Sequence, residues 1–353
     1  VATRYNSNIT TSERCKTLKI VVKISKLNKS TTDKNKMIKI SRYLFVILFT
    51  ITSLVFSFNR ANACNCGCNM FNISTNSIIP GKNDNLLYVD YQYLNQNRNW
   101  QETSEADSSK SHHLKFITKT ANIGWQKSFN ENYGLRVNLP IIDRVITNQH
   151  HNKQEVISNR NIGDLKLSAY FNGIEPDLSS GVIIGIKLPT GDYRDKNFIA
   201  SSQIGTATTD IVIGGYKIFH PLVNKNFSII NQINFQQPIL IHSNYRPGKE
   251  LAFSTAIAYN FNKKDFGNYQ FSKYVDSISP LLQLNAITKT RDAGANASKT
   301  NTGYEQIFIS PALEIAISKF KIYNEIQLPI YREVNGMQLV ADYLYRTLIS
   351  YQF

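Results

Sequence analysis

At 353 residues, 42% of them hydrophobic, the chain is long enough to fold with a sizeable apolar interior or surface. Its formal net charge of +15 excludes less than it suggests, because residues 1–60 hold 12 basic against 2 acidic side chains and the remainder only 28 against 23. The basic excess belongs to the start of the chain and gives no reason to expect a nucleic-acid partner.

Residues 1–36 are rich in Lys, Asn, Ser and Thr and carry no sustained apolar period, so they read as an over-extended leader outside any folded domain. Met37 then opens a stretch with Lys39 and Arg42 ahead of the apolar run 44–58, followed by Ala61-Asn62-Ala63. A basic start, an apolar core and a small-x-small site make a secretory signal peptide over 37–63. The apolar run is short for a membrane-spanning helix, which needs about 20 residues.

The mature segment 64–85 begins CNCGCNM. Cys64, Cys66 and Cys68 with Met70 form a compact set of soft donors that suits Cu(I) or Zn(II). Export into an oxidising compartment favours a disulfide instead, with one thiol of the three left over. Lipidation of Cys64 is a third reading, although a large aliphatic residue is missing three positions before it.

From residue 86 the apolar residues recur with period two, the signature of strands with one wet face. Expected strands in order are 86–96, 114–129, 133–147, 163–172, 181–189, 204–219, 227–239, 250–261, 277–290, 304–317, 320–331 and 339–353. In 250–261, for example, Leu251, Phe253, Thr255, Ile257 and Tyr259 oppose Glu250, Ala252, Ser254, Ala256 and Ala258. The last strand puts Tyr343, Tyr345, Thr347, Ile349, Tyr351 and Phe353 on one face. Soluble strands average about five or six residues, whereas a tilted membrane strand needs about nine to eleven.

The fold expected is therefore all-β, a transmembrane antiparallel barrel of about twelve strands over 86–353, of the outer-membrane type. Connections alternate between long and short, as they do in such barrels, which places both ends of the barrel on the short-turn side. The connection 262–276 is long for that side. Prolines 140, 189, 280, 311 and 329 fall near or inside strands, where each removes a ladder donor. The segment 64–85 is expected at the periplasmic mouth or inside the lumen.

Turning the polar set inward predicts a lumen lined by Asp90, Arg136, Asn138, Asp164, Lys166, Asp210, Glu250, Gln283, Glu314, Glu325, Asp342 and Arg346. Both signs are present, so no single-sign selectivity ring is expected. By the same register Leu167, Ile257 and Leu284 face lipid, while Ser168, Ala256 and Gln283 meet water. His242-Ser243 invites a catalytic pairing, but adjacent strand residues point to opposite faces. Without a nucleophile-elbow, zinc-protease or phosphate-loop pattern, no enzyme is expected.

Several segments occur together in a distinctive order: NIGDLKLSAYF (161–171), GIKLPTGDY (185–193), GTATTDIVIGGY (205–216), YRPGKELAFSTAIAYNF (245–261) and the closing NGMQLVADYLYRTLISYQF. In this the chain resembles the bacterial outer-membrane family named for the meta-pathway of phenol degradation, a group of transporter-type barrels. The resemblance implies a Gram-negative outer-membrane channel for small hydrophobic or aromatic molecules. The partners expected are outer-membrane lipid, the permeant and the barrel-assembly machinery, the last through the strand ending at Phe353. The alternative is a barrel that binds or senses a soft metal through its CNCGC segment.

Overall fold

The computed structural model describes residues 85–106, 114–150, 153–221, 226–267, 269 and 273–353. The expected leader and signal peptide, and the segment with Cys64, Cys66, Cys68 and Met70, lie outside the described residues. Eleven strands form the wall: β1 (Leu86–Glu102), β2 (Leu114–Ser128), β3 (Tyr133–His150), β4 (Leu165–Phe171), β5 (Ser180–Leu188), β6 (Thr208–Phe219), β7 (Phe227–Ile241), β8 (Glu250–Tyr259), β9 (Ser277–Lys289), β10 (Tyr304–Ile317) and β11 (Phe320–Gln352). Each pairs antiparallel with its sequence neighbour, and β11 returns to β1, so the sheet has no free edge. Three further strands lie outside the ring: Ser104–Glu105, Lys153–Ile162 and Phe261–Asn262.

The last element crosses twice. Extended, its 33 residues would run roughly 110 Å at about 3.3 Å each. Instead the Gln352 amide donates to the Lys319 carbonyl at 2.8 Å, and Tyr345 hydroxyl to Asn324 Oδ1 at 2.9 Å. Residues 320–334 pair with β10 and 337–352 with β1, the reversal passing through Gly336 at φ +55°. Twelve crossings result, an even number with both ends together: the Phe353 amide donates to the Asn85 carbonyl at 3.0 Å.

The outward face carries Leu87, Val89, Leu135, Ile184, Ile213, Ile233, Ile257, Leu284, Leu328 and Ile349, all exposed. A soluble protein could not leave so continuous an apolar surface uncovered, whereas lipid covers it. Aromatic rings gather at the short-turn rim. Tyr133 stacks on Phe171 at 5.6 Å, Tyr259 meets Phe261 at 4.6 Å, and Phe320 meets Tyr351 at 4.8 Å. Amphipathic rings of this kind mark a membrane–water boundary.

Two of the ladder's irregularities sit at prolines. The ladder slips between Thr209 and Asp210 opposite Pro238, and between Ile307 and Phe308 opposite Pro329. A residue without an amide hydrogen cannot complete the ladder, and a bulge absorbs the gap. The long connection after β8 holds a 3-10 turn, Lys263–Phe266, closed by a capping box between Asn262 and Asp265. Two expectations shift here. The stretch after His150 is a hairpin, Lys153–Ile162 pairing back onto β3. Residues 204–207, expected in a strand, belong to a connection that turns into the barrel.

Candidate functional site

The candidate site is the lumen, built from alternate residues of every strand. Asp90, Arg136, Asp164, Asp210, Gln283, Glu314, Glu325 and Arg346 are buried in it, and Asn138, Lys166 and Glu250 border its cavities. Asp342 does not join them. Between the pairs Leu94–Leu344 and Gln96–Ala341, β11 carries one residue more than β1, and that bulge turns Asp342 to solvent. There it pairs with Arg98 at 2.7 Å, both side chains well exposed.

One polar network joins β1 to β11. Arg346 is fully enclosed and its Nε donates to Asp90 Oδ1 at 2.8 Å, with Nη2 on Oδ2 at 3.1 Å and Glu325 at 3.8 Å. Gln327 donates to Glu325 at 3.0 Å, Asn285 to Ser310 at 2.8 Å, and Gln283 to the Tyr323 hydroxyl. A buried guanidinium held by a bidentate carboxylate locks the strands that close the ring.

A second network centres on Lys187. Its ammonium lies 2.8 Å from Asp210 and 3.5 Å from Asp164, all three almost wholly buried. Asp210 also accepts from Thr208 and from Gln236, each at 2.6 Å. Asp164 accepts the Gly191 amide at 3.0 Å, the Thr206 amide at 2.9 Å and the Thr206 hydroxyl at 2.6 Å. These bonds pin both ends of the connection 189–207 inside the barrel. Arg144 holds its middle by donating to the Ser202 carbonyl at 2.7 Å and to that of Gln203. Phe198, Ile204 and Ala207 of this segment are buried, so it fills part of the lumen on the long-loop side.

The lumen is lopsided. Between β7 and β1, passing through β11, apolar side chains meet across the interior. Leu94, Ala252, Ile287, Phe308 and Leu344 form one group, and Tyr88, Ala256, Leu281, Tyr323 and Leu348 another. The small inward face of β8 lets opposite side chains approach. Ala256 is therefore packed in an apolar cluster and Gln283 is buried against the Tyr323 hydroxyl, so neither meets water, contrary to the expectation. The open space lies toward β2–β8, as a cavity of about 100 Å³ beneath the inward connection and a second of about 90 Å³ beside it. Asn138, Lys166, Gln236 and Glu250 line both.

Lys187 and the inward connection were missed in the sequence. For Lys187 the signal was present, since putting Val182, Ile184, Ile186 and Leu188 outward leaves it inward. His242 and Ser243 do not pair: His242 Nε2 lies 3.2 Å from Thr209 Oγ1, and Ser243 Oγ accepts the Tyr245 amide at 3.2 Å. Among the described residues no group of three or more His, Cys, Asp or Glu side chains is placed to hold a metal ion.

A lipid-facing barrel with an occluded polar lumen narrows the comparison to outer-membrane proteins. Residues 108–280 match the family described as "Putative MetA-pathway of phenol degradation". The matched stretch runs through β2–β8 into β9 and takes in the Lys187 network, the inward connection and both cavity-lining residues Lys166 and Glu250. A crystal structure of an outer-membrane channel from Pseudomonas putida F1 superposes with a TM-score of 0.60 at 11% identity, covering 80% of this chain and 100% of that one. This likeness establishes the outer-membrane barrel fold. The β domain of the Bordetella autotransporter BrkA follows at a TM-score of 0.46 and 7% identity, covering 76% of this chain and 99% of its own. The CymD monoaromatic hydrocarbon channel gives 0.43 and 7%, covering 80% and 94%. No curated protein matches the chain.

Proposed function

We propose that the protein is an outer-membrane channel for small hydrophobic or aromatic molecules. The observation that carries this reading is the construction of the lumen. A closed, lipid-facing wall encloses neighbouring cavities of about 100 and 90 Å³, blocked on the long-loop side by a connection held through side chains and not by the strand ladder. Such a plug can move without breaking the wall. Apolar and aromatic side chains that line the cavities, Pro140, Ile142, Phe235 and Tyr245 among them, offer a surface against which a ring can rest. The match to a family described by phenol degradation supports the aromatic class.

The lumen-lining residues of the proposal are Asp90, Arg136, Asn138, Asp164, Lys166, Asp210, Glu250, Gln283, Glu314, Glu325 and Arg346. The aromatic C-terminal strand ending at Phe353 is the segment offered to the barrel-assembly machinery, and 37–63 the export signal. The test is uptake. Cells that depend on this protein should accumulate a dilute monoaromatic compound faster than cells lacking it, and purified protein should render liposomes permeable to small solutes. Equal uptake with and without the protein, together with sealed liposomes, would refute the channel.

A further inference from the structure

Lys166 and Glu250 stand apart from the buried charges of the barrel: both are half-buried at the edge of its cavities. Lys166, on β4, lies directly opposite Lys187 of β5 in the ladder. Like charges placed so repel each other, and Lys187 is neutralised by Asp164 and Asp210. Glu250, on β8, lies directly opposite Lys289 of β9, whose ammonium is held at 3.2 Å by Asp292. Each residue has lost its natural counter-ion to a neighbour. Among the described residues neither the Lys166 ammonium nor the Glu250 carboxylate makes a hydrogen bond or an ion pair. Both border the same two cavities, and each feels the other electrostatically.

Two half-buried opposite charges without partners gain from any group that bridges them. Their surroundings are balanced. Asp164 and Asp210 together exceed Lys187 by one negative charge, which Arg144 offsets, Lys289 is matched by Asp292, and Arg136, which lines the second cavity, is offset by the one negative charge by which Asp90 and Glu325 exceed Arg346. Asn138 and Gln236 lie opposite Lys166 and Glu250 in the ladder and line the same space, adding uncharged donors and acceptors. The space accordingly favours neither a net anion nor a net cation.

We propose that Lys166 and Glu250 form a polar recognition point in the lumen that accepts an uncharged or zwitterionic small molecule. Such a molecule presents a hydrogen-bond acceptor to Lys166 and a donor to Glu250, while its apolar part lies toward the β7–β1 side. This deepens the channel reading and rests on it. The pair sets selectivity by cancellation: a net ion of either sign meets one attractive and one repulsive group and gains nothing.

The experiment measures reversal potential under a salt gradient, with protein in planar bilayers, alongside uptake of a hydroxylated aromatic such as catechol by cells. Wild type should be nearly unselective between small cations and anions. Lys166→Gln should favour cations and Glu250→Gln anions, each by about fivefold, the worth of one unit charge at contact range in a watery lumen. The double variant should return to near neutrality, and both single variants should slow catechol uptake. Resistance of the folded barrel to detergent unfolding at room temperature guards against misfolded variants, and the charge-swapped pair Lys166→Glu/Glu250→Lys should retain wild-type selectivity. Wild-type conduction with single variants of unchanged selectivity would overturn this inference alone. A wild type that neither conducts nor supports uptake would overturn the channel reading beneath it.

Discussion

The ring of Tyr88 on β1 occupies the space that a Cβ at Gly124 on β2 would need, the two residues lying directly opposite in the ladder. The tyrosine hydroxyl reaches on to Asn138 of β3. The arrangement recurs twice along the wall: Tyr170 covers Gly134 and Tyr216 covers Gly181, each again a directly opposed pair. A glycine in a strand lacks a side chain to pack, and an aromatic ring laid over it restores buried contact and fixes the register. Gly124→Ala should therefore destabilise the barrel by about 1–3 kcal/mol through overpacking. Unfolding in urea from lipid vesicles would measure it. In a Tyr88→Ala background the same substitution should cost clearly less, and equal costs would sink the pairing.

Arg346 is held by Asp90 and Glu325 in a lumen that water barely reaches. Replacing Asp90 by Ala leaves a buried guanidinium with one distant carboxylate, a loss of about 3–5 kcal/mol by analogy with broken buried pairs. Removing the charges together, as Arg346→Met with Asp90→Asn and Glu325→Gln, should cost less than that single change. The same unfolding measurement decides between them.

Asp164 carries three hydrogen bonds that fasten the inward connection at Gly191 and Thr206. Asp164→Ala should free both ends of that connection while leaving the strand ladder whole. Conductance in planar bilayers should rise, and the amides of Gly191 and Thr206 should exchange faster with deuterium. The cost in stability should stay near about 1–3 kcal/mol, the range for lost partners of buried polar groups. Unchanged conductance would mean that the connection does not obstruct the path.

Leu167, Ile257 and Leu284 are exposed on the outward face. Lysine at any of them should cost about 2–4 kcal/mol in a bilayer. Lysine at Ser168, which lines a cavity, should cost much less. Ala256 is a stricter case than its alternation suggests, since a lysine there would be forced into the apolar cluster with Tyr323 and Leu348.

The connection between β4 and β5 has its own pH dependence. The Lys217 ammonium and the Ser179 hydroxyl both bond the exposed Glu175 carboxyl and hold it below the usual carboxylate range. A depressed folded pKa means that the stabilisation is complete above the unfolded value of about 4.3 and is lost as pH falls through the folded value. Asp177, which accepts the Ser179 amide at 3.0 Å, is held low by the same residue. Amide exchange around Ser179 should accelerate on acidification below that range, Glu175→Gln should weaken the pH dependence, and Glu175→Gln with Asp177→Asn should remove it.

Strand alternation alone determined the wall of this protein. Period two is a local property, and a barrel asks only that each strand choose which face meets lipid. Leu251, Phe253 and Ile257 settle that choice for β8 whatever the rest of the chain does. The same parity picks out the polar set, of which Asp90, Arg136, Asp164, Asp210, Gln283, Glu314, Glu325 and Arg346 are buried, and counting would have added Lys187. Asp342 was not legible, because a bulge at 342–343 of its own strand breaks the parity on which the reading depends, and no residue near it announces the slip. The content of the lumen belonged to the tertiary structure. Whether Ala256 meets water or Tyr323 depends on which strand stands across the barrel. Whether residues 189–207 lie outside or fold within depends on Asp164 and Arg144, placed by other strands to catch them. Those are long-range contacts, set by closure of the ring, and no periodicity along the chain encodes them.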